Sequence, residues 1–266
     1  MEITILIDNK KHRGLVSEWG FCVYIENDEK KYLLDTGASN KYLINATKLG
    51  IDISSVDYAV LSHSHIDHSG GYDAFFNINK KAKLYISKNA TPDCYCKIGF
   101  LKFNVGIPRN LINNYKDRLV FLDGLYQLTD NVYIMSHLNK GHKNKLLVRK
   151  ENNSYIYDDF SHEQNLIMDT SKGLVIFNSC SHIGLDEILK EVKIAFPNKK
   201  IYMMIGGLHL AGKKVKEVYD LASRVSKLDI EYIYTGHCTK NKAYKILRKQ
   251  LGEKIKQVNV GMKITV

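Results

Sequence analysis

The chain has 266 residues, of which 44% are hydrophobic and 25% charged, a composition typical of a soluble globular protein with one sizeable domain or at most two small ones. Thirty-nine Lys and Arg against 28 Asp and Glu give a net charge of +11, but the lysines are dispersed, which favours a solvated basic surface over a nucleic-acid-binding tract. No apolar run approaches the roughly 18 residues of a membrane-spanning helix. Residues 1–8 show a strand pattern with neither the basic start nor the small-residue cleavage site of a signal peptide, so we expect a cytoplasmic protein without a membrane partner.

The first third of the chain is predicted to contain short strands and one helix. Four short runs have the composition of strands, and a helical pattern follows the third of them. The fourth run leads the chain directly into His63. In chain order, these elements are the strands 3–7, 21–26 and 31–34, the helix 41–49 and the strand 56–61.

The second half alternates apolar strands with helices. The predicted strands are 173–177, 201–205 and 230–234, the predicted helices are 185–195, 215–228 and 240–251, and a final strand pair completes the chain. Each of the three strands leads into a segment that carries a histidine: His182, His209 or His237. Because ligands of layered α/β folds bind where strand ends and their loops converge, the sequence predicts one site built from these segments.

Two stretches interrupt this pattern, at 88–116 and 137–163. Both are polar and mixed in composition, as expected of segments that form the walls or a lid of a site. We therefore predict a single domain over residues 1–266 with insertions near 88–116 and 137–163.

The segment His-Ser-His-Ile-Asp-His at 63–68 carries the strongest chemical signal. His63 and His65 are two residues apart, so in an extended chain they point the same way and can share one ion, while Asp67 and His68 can face a second ion. At the composition of this chain the pattern is expected by chance only ~0.001 times, and four packed titratable side chains without a metal would be costly. Imidazole and carboxylate ligands suit zinc, with iron and manganese as alternatives.

This motif, together with the preceding Leu-Leu-Asp-Thr-Gly segment that contains Asp35, resembles the metallo-β-lactamase superfamily. The resemblance covers essentially the whole chain. It implies an α/β fold of four layers, an αββα sandwich, with two divalent metal ions at one edge between the two sheets. We expect Asp35 to accept an imidazole N–H or backbone amides and so to orient the cluster, the alternative being a simple turn residue.

The later motifs at 179–184, 206–210 and 236–239 are similar to a narrower branch of that superfamily, the dihydropterin-ribofuranosyl-aminobenzene-phosphate synthases. This similarity implies that His182 and His237 are further metal ligands. It also points to a pterin- or phosphate-bearing substrate.

Several residues leave alternatives open. Many superfamily members carry a bridging aspartate where this chain has Cys180, which either replaces it as a thiolate or is a small core residue. His209 is a ligand, a substrate contact or a proton donor. His162 is either a metal ligand ahead of the 173–177 strand or an exposed loop histidine, and we expect the latter. We expect Cys94 and Cys96 to be pocket-lining or structural thiols, because the five cysteines show neither a disulfide framework nor a second Cys pair.

Two cations beside one water lower its pKa toward neutrality and polarise the bond under attack, so the site predicts a hydrolase for a small anionic substrate. Asp67 and His209 are the candidate catalytic residues. Arg109 is the candidate for binding the substrate, whereas the lysines near 140–145 are favoured as solvated loop charges. The alternatives are a metal-containing ligand-binding or regulatory protein with little turnover, a phosphodiesterase or nuclease, and di-iron redox chemistry.

Overall fold

A computed structural model describes residues 1–12, 14–137 and 144–266. The predicted loop charges Lys140 and Lys143 lie outside the described residues. Eighteen strands occur in the described part of the chain, and their bounds are β1 (Glu2–Ile7), β2 (Cys22–Asn27), β3 (Lys30–Leu34), β4 (Tyr58–Val60), β5 (Lys83–Ser87), β6 (Cys94–Ile98), β7 (Leu101–Asn104), β8 (Leu119–Leu122), β9 (Leu125–Thr129), β10 (Val132–Ser136), β11 (Leu147–Glu151), β12 (Ser154–Tyr157), β13 (Gln164–Thr170), β14 (Gly173–Cys180), β15 (Ile201–Gly207), β16 (Ile230–Thr235), β17 (Ile255–Gln257) and β18 (Lys263–Thr265).

The helices of the described residues are short. The α-helices are α1 (Lys41–Lys48), α2 (Ile66–Ser69), α3 (Tyr72–Ile78), α4 (Arg109–Asn114), α5 (Leu185–Ala195), α6 (Val215–Val225) and α7 (Lys240–Leu251). Single turns of 3-10 helix lie at Ile53–Ser55, Lys116–Arg118, His237–Thr239 and Gly252–Lys254. Within the described ranges, none of these helices has the length and apolar character needed to cross a bilayer.

The strands form three sheets. The N-terminal sheet has the order β18-β1-β2-β3-β4-β5-β8, the C-terminal sheet has the order β17-β16-β15-β14-β13-β10-β9, and a small sheet has the order β12-β11-β6-β7. Strands β3, β4 and β5 are parallel, as are β14, β15 and β16. Because parallel strands end at the same edge, the carboxyl ends of both sets present their following loops together.

Four layers surround three hydrophobic clusters. Residues of the two large sheets, such as Leu34 and Phe177, pack face to face. Helices α1 and α3 cover the outer face of the N-terminal sheet with Tyr42 and Phe75, and α5, α6 and α7 cover the C-terminal sheet. This arrangement confirms the predicted αββα sandwich.

Helix α5 illustrates how the sequence produces a layer. Leu185, Ile188, Leu189 and Val192 recur at helical spacing and are all buried, while Asp186 lies in the first turn, where a negative charge is favourable. Full burial of such a side chain contributes about 1.5 to 3 kcal/mol. The predicted bounds of α5 and α7 are confirmed.

Two predictions about elements need correction. The final strands do not pair with each other, because β17 pairs with β16 and β18 pairs with β1, so the end of the chain closes one edge of each large sheet. The two expected insertions are more ordered than predicted. Strands β6 and β7 from 88–116 and β11 and β12 from 137–163 build the small sheet.

Candidate metal centre

The loop after β4 positions the first histidines. Strand β4 ends at Val60, and the chain bends at His63 and Ser64 before it reaches His65, which has extended φ −96° and ψ 146° and immediately precedes α2. The rings of His63 and His65 are 4.7 Å apart between centroids. The turn into α2 then places Asp67 and His68 on a different side of the cluster.

Three histidines form what we call the three-histidine triad: His63, His65 and His182. One ring nitrogen from each lies within 4.8 Å of the others, and the Nε2 atoms of His63 and His182 are 3.3 Å apart. All three side chains are buried. Burial lowers the pKa of each, to about 4 for His65, which keeps the imidazoles neutral and able to coordinate an ion.

The second group, the aspartate triad, consists of Asp67, His68 and His237. The Nε2 atoms of His68 and His237 are 3.2 Å apart, and Oδ2 of Asp67 lies 3.7 Å and 3.5 Å from them. Burial alone would raise the pKa of Asp67, but the adjacent histidines lower it below its usual value, so the carboxylate is ionised. The structure thus brings the four residues of the 63–68 motif together with both predicted later histidines.

Hydrogen bonds determine which nitrogen the histidines of the aspartate triad present. Nδ1 of His68 donates to Oδ2 of Asp35 at 2.7 Å, and Nδ1 of His237 donates to Oδ1 of Asn9 at 3.2 Å. With the proton on Nδ1, each Nε2 keeps a free lone pair directed into the triad. Burial lowers the pKa of His68, but Asp67 and Asp35 more than offset this and raise it.

Asp35 connects the two triads. Its Oδ1 accepts the backbone N–H of Ser62 at 2.8 Å, and its Oδ2 accepts the Ser62 hydroxyl at 2.7 Å in addition to His68. Because that hydroxyl donates to Asp35, it accepts Nδ1–H of His63 at 2.8 Å, which leaves Nε2 of His63 free. Asp35 therefore lies where the sequence predicts a carboxylate that orients the cluster.

Two thiols and a histidine lie between the triads. Cys180 can share an ion with His182 of one triad and with His237 of the other, since its sulfur lies within 4.8 Å of donor atoms of both. Its Sγ is 2.9 Å from Sγ of Cys238 and 3.4 Å from Nδ1 of His209. This is the position expected of a bridging ligand.

The protonation of the thiols follows from their partners. Burial raises the pKa of Cys180. Burial also opposes ionisation of Cys238, but a hydrogen bond from Cys180 and the adjacent His237 and His209 lower its pKa well below the usual value. These partners favour ionisation of Cys238 over that of Cys180. The close approach of the two sulfurs requires Gly207, because a β-carbon there would collide with Sγ of Cys238.

Sequence reasoning missed several residues that support the ligands. Cys238 follows a predicted ligand and was not singled out, although a second thiol next to His237 was a signal. The carboxylate of Glu163 accepts the backbone N–H of His182 at 2.9 Å, and that of Asp8 accepts the backbone N–H of His237 at 2.7 Å. The expectation that His162 is an exposed loop histidine is wrong: it is buried, and its Nδ1 accepts the backbone N–H of Ser64.

The triads open into a cavity of about 280 Å³, the metal cavity. Trp19 lies at its lip with a half-exposed ring, 5.1 Å from the ring of His237. An adjoining outer cavity of about 290 Å³ shares His182 and His209 with it. The metal cavity is lined by Trp19, His63, His65, Ile66, Asp67, His68, Cys96, Val105, Leu147, Cys180, His182, His209, Ala211, His237 and Cys238.

Basic groups lie on the far side of His237. A lysine cavity of about 360 Å³ is lined by Lys10, Lys11 and Lys240, and the ammonium of Lys240 is 3.8 Å from the centre of the Trp19 ring. Arg109, the predicted substrate-binding residue, is not among the residues that line these cavities. It is exposed and forms an ion pair with Asp93 at 2.5 Å.

The donors fit a metal centre. Imidazole, carboxylate and thiol groups together suit zinc, iron or manganese. The Nε2 atoms of His68 and His237 are 3.2 Å apart, and both are without a proton when Nδ1 of each ring donates its hydrogen bond. A cation between them would bind both lone pairs and remove their repulsion.

Comparison with known proteins agrees with this geometry. Residues 20–141 match the family model of the metallo-beta-lactamase superfamily. A curated relative, the 7,8-dihydropterin-6-methyl-4-(beta-D-ribofuranosyl)-aminobenzene-5'-phosphate synthase of Methanocaldococcus jannaschii, is 27% identical over 259 residues, 91% of this chain and 87% of the relative.

Solved structures extend the similarity over the whole chain. Tm1679, described as a metal-dependent hydrolase of the β-lactamase superfamily, has a TM-score of 0.85 and 28% identity, covering 100% of this chain and 99% of that one. The metallo-β-lactamase fold protein YhfI of Bacillus subtilis, with a TM-score of 0.60 and 11% identity over 99% of both chains, shares the fold alone. The motif, the αββα sandwich and these matches give the whole chain the fold of the metallo-β-lactamase superfamily, whose family model matches residues 20–141.

Proposed function

We propose that the protein is a hydrolase that uses two divalent metal ions, zinc in the first instance, on a small anionic substrate with a pterin or phosphate group. The observation that carries the proposal is the meeting of the two triads in one cavity, with Cys180 between them. The similarity to Tm1679, described as a metal-dependent hydrolase, supports it.

Two bound ions supply Lewis acidity and a water of lowered pKa. The protein holds the ligands in place beforehand: Ser62, Asp35 and Asn9 fix the tautomers of three histidines, so that little reorganisation is needed at the moment of reaction. We assign Asp67 the role of a fixed negative charge at the reacting centre. Cys180 is the proposed bridging ligand, since it contacts both triads.

His209 is the proposed proton donor. It lines both the metal cavity and the outer cavity, so its ring faces the path of a departing group. Nε2 of His209 accepts the side-chain amide of Asn144 at 3.3 Å, which places the proton on Nδ1, 3.4 Å from the sulfur of Cys180. A proton on that atom is available to a leaving group at the boundary of the two cavities.

The anionic part of the substrate is proposed to leave the metal cavity past Trp19. Lys240 stands over the Trp19 ring, and Lys10 and Lys11 line the lysine cavity behind it, so a phosphate in this direction meets positive charge. Arg109 stays a weaker prediction, because its guanidinium already pairs with Asp93.

The single domain over 1–266 and the cytoplasmic location are also retained as proposals. The domain is supported by the hydrophobic clusters shared between early and late strands. In this proposal the small sheet, which contributes Cys96 and Leu147 to the metal cavity, is a wall of the site.

The test is metal analysis combined with a substrate panel. Full-length protein loaded with zinc, and separately with manganese or iron, is assayed on a phosphodiester, a phosphomonoester, a lactone and a thioester. We expect about two ions held by the triads and metal-dependent turnover of at least one class. The His68→Ala variant should lose this metal-dependent turnover, whereas the His12→Ala variant, which changes an exposed histidine, should keep it. Protein that binds its ions but hydrolyses none of the four classes would contradict the proposed hydrolase and leave a synthase or a ligand-binding protein.

A synthase is the second candidate, favoured by the name of the curated relative that matches 91% of this chain. The same cavity would then catalyse formation of a bond to a pterin fragment. Incubation with a pterin phosphate ester and an amine, followed by mass spectrometry, distinguishes a condensed product from a hydrolysed one.

A further inference from the structure

The part of the metal cavity that is not built from histidines, Asp67 or the two paired thiols is apolar. Its remaining lining residues are Trp19, Ile66, Cys96, Val105, Leu147 and Ala211. A polar group placed against the aliphatic side chains of this wall would lose water without gaining a hydrogen-bond partner. The portion of a bound molecule that lies against this wall, next to the triads, is therefore apolar.

Strand β7 carries the apolar wall out of the cavity. Val105 follows the last residue of β7 and continues its pairing, since its backbone N–H donates to the carbonyl of Cys94 at 2.8 Å. Side chains two residues apart on a strand point to the same face, so Phe103 and Leu101 lie on the face that Val105 presents to the cavity. Their exposed fractions are 50% and 49%. The cavity wall thus continues onto the molecular surface.

Pairing across the strands leads to the same face. Leu147 of β11, which lines the cavity, is opposite Cys96 of β6, and Cys96 is opposite Phe103 of β7. Opposite residues of antiparallel strands share a face, and neighbouring strands are about 4.8 Å apart, so the row from Leu147 to Phe103 spans roughly 10 Å. Ile98, opposite Leu101, extends this face and is 62% exposed. We call these side chains the apolar strip: Cys96, Ile98, Leu101, Phe103, Val105 and Leu147.

The two faces of strands β6 and β7 differ in composition. The face opposite to the apolar strip carries Tyr95, Lys97, Lys102 and Asn104, and the ammonium of Lys102 is 4.5 Å from the centre of the Tyr155 ring. That face is polar, as expected of a sheet face in contact with water. The face that adjoins the triads is instead apolar although it is half exposed, and contiguous apolar side chains of this kind mark a binding surface.

The place where the apolar strip begins indicates what it binds. The backbone N–H of Ile66 donates to the carbonyl of Val105 at 2.8 Å, and His65 forms a β-bridge with Gly106. The strip therefore starts beside the loop that supplies the first metal-binding histidines. A surface that runs without a break from the triads to the outside fits a chain attached to the reacting group, because one molecule then occupies both.

We propose that the apolar strip binds an alkyl or acyl chain of the substrate, so that the substrate is an amphiphilic anion. The inference rests on the proposed function, which holds the reacting anionic group at the two triads. The anionic end extends past Trp19 toward Lys240, and the chain lies over Leu147 and Phe103. The strip supplies affinity by removing the chain from water, while the triads and the lysines fix its orientation.

Binding of alkyl phosphonates, which are not hydrolysed, tests the proposal. Trp19 is the single tryptophan of the chain and lines the metal cavity, so its fluorescence reports when the cavity is occupied. Full-length protein loaded with Zn²⁺ is titrated with methyl-, butyl- and octylphosphonate. We expect the affinity to rise from methyl to octyl, by up to about fourfold for each methylene that leaves water. Equal affinity for all three phosphonates, or binding of none, overturns the proposal.

A pair of matched variants locates the chain. Phe103→Ser should lower the affinity for octylphosphonate by about 3- to 12-fold, which is half the free energy of burying a whole phenylalanine side chain, and leave that for methylphosphonate unchanged. Phe121→Ser changes a phenylalanine of similar exposure, 52%, on β8 outside the strip and should alter neither affinity. Circular dichroism identifies a variant that has failed to fold, in which case Leu101→Ser replaces Phe103→Ser. The same affinity for octylphosphonate in the wild type and the strip variant, or an equal loss in the control, overturns the proposal.

Sedimentation velocity tests the other candidate occupant of the apolar strip, a second copy of this chain. The same sedimentation coefficient in the wild type and in Phe103→Ser supports the proposal. A wild-type dimer that becomes a monomer in this variant would show that the strip is a subunit interface, which overturns it. All of these readouts measure binding or mass, whereas the substrate panel measures turnover, so the chain site and the hydrolase can fail independently.

Discussion

The two triads hold similar ligands but differ in how those ligands are supported. In the aspartate triad, the outer nitrogens of His68 and His237 are both bonded to side-chain oxygens. In the three-histidine triad, only His63 has such a partner, while Nε2 of His65 and Nδ1 of His182 have none among the described residues. One triad is therefore oriented by hydrogen bonds, and the other mainly by packing.

The packing is visible at His182. Its ring is stacked on Phe160 at 4.3 Å between centroids, with an angle of 8° between the planes. Stacking restrains the tilt of the imidazole, but it does not select which nitrogen carries the proton, whereas a carboxylate partner does. We therefore expect the aspartate triad to bind its ion more tightly and the three-histidine triad to release its ion first under chelation.

The largest expected effect comes from removing a ligand of the tighter triad. His237→Ala should remove about one ion per chain and reduce turnover to background, because Asp67 and His68 alone leave the ion exchangeable. Mass spectrometric metal analysis after dialysis measures this loss, with His12→Ala as the histidine control. If His237→Ala keeps its full metal content, the aspartate triad is not a metal site.

A smaller effect is expected from the carboxylate that orients His68. Asp35→Asn should lower the affinity of the aspartate triad for its ion by about 10- to 100-fold, because loss of such a partner alters the tautomer and basicity of His68. Titration against a competing chelator measures the affinity. Asn9→Ala, which removes a neutral partner from His237, should have a weaker effect, and the reverse order would contradict the importance assigned to the carboxylate.

The smallest effect is expected at the three-histidine triad, where packing orients His182. Phe160→Leu should lower the affinity of the three-histidine triad for its ion by about 2- to 12-fold. This corresponds to the roughly 0.5 to 1.5 kcal/mol of an aromatic stacking pair. The same chelator titration resolves the more weakly held ion. Phe196→Leu, at a half-buried aromatic packed on Tyr133, is the control for a general loss of stability. An unchanged affinity would mean that packing does not orient His182.

Local patterns predicted the parts of the site that lie close together in sequence or at strand ends. The motif from His63 to His68 is visible because its ligands share one loop, and His182 and His237 follow parallel strands whose ends must meet. The support from Glu163, Asn9 and the second thiol was missed, because it depends on contacts between segments whose pairing has no local signature. The small sheet was missed for the same reason.

The contact between His68 and His237 joins residues 169 positions apart. A chain synthesised only as far as residue 236 cannot form it, so we expect the aspartate triad to take up its ion only after strand β16 has been made and has joined its sheet. Free ion at about 100 times its Kd then stabilises the native state by about 2.7 kcal/mol, and the melting temperature should rise with metal concentration. Metal supply would in this way set how many newly made chains persist.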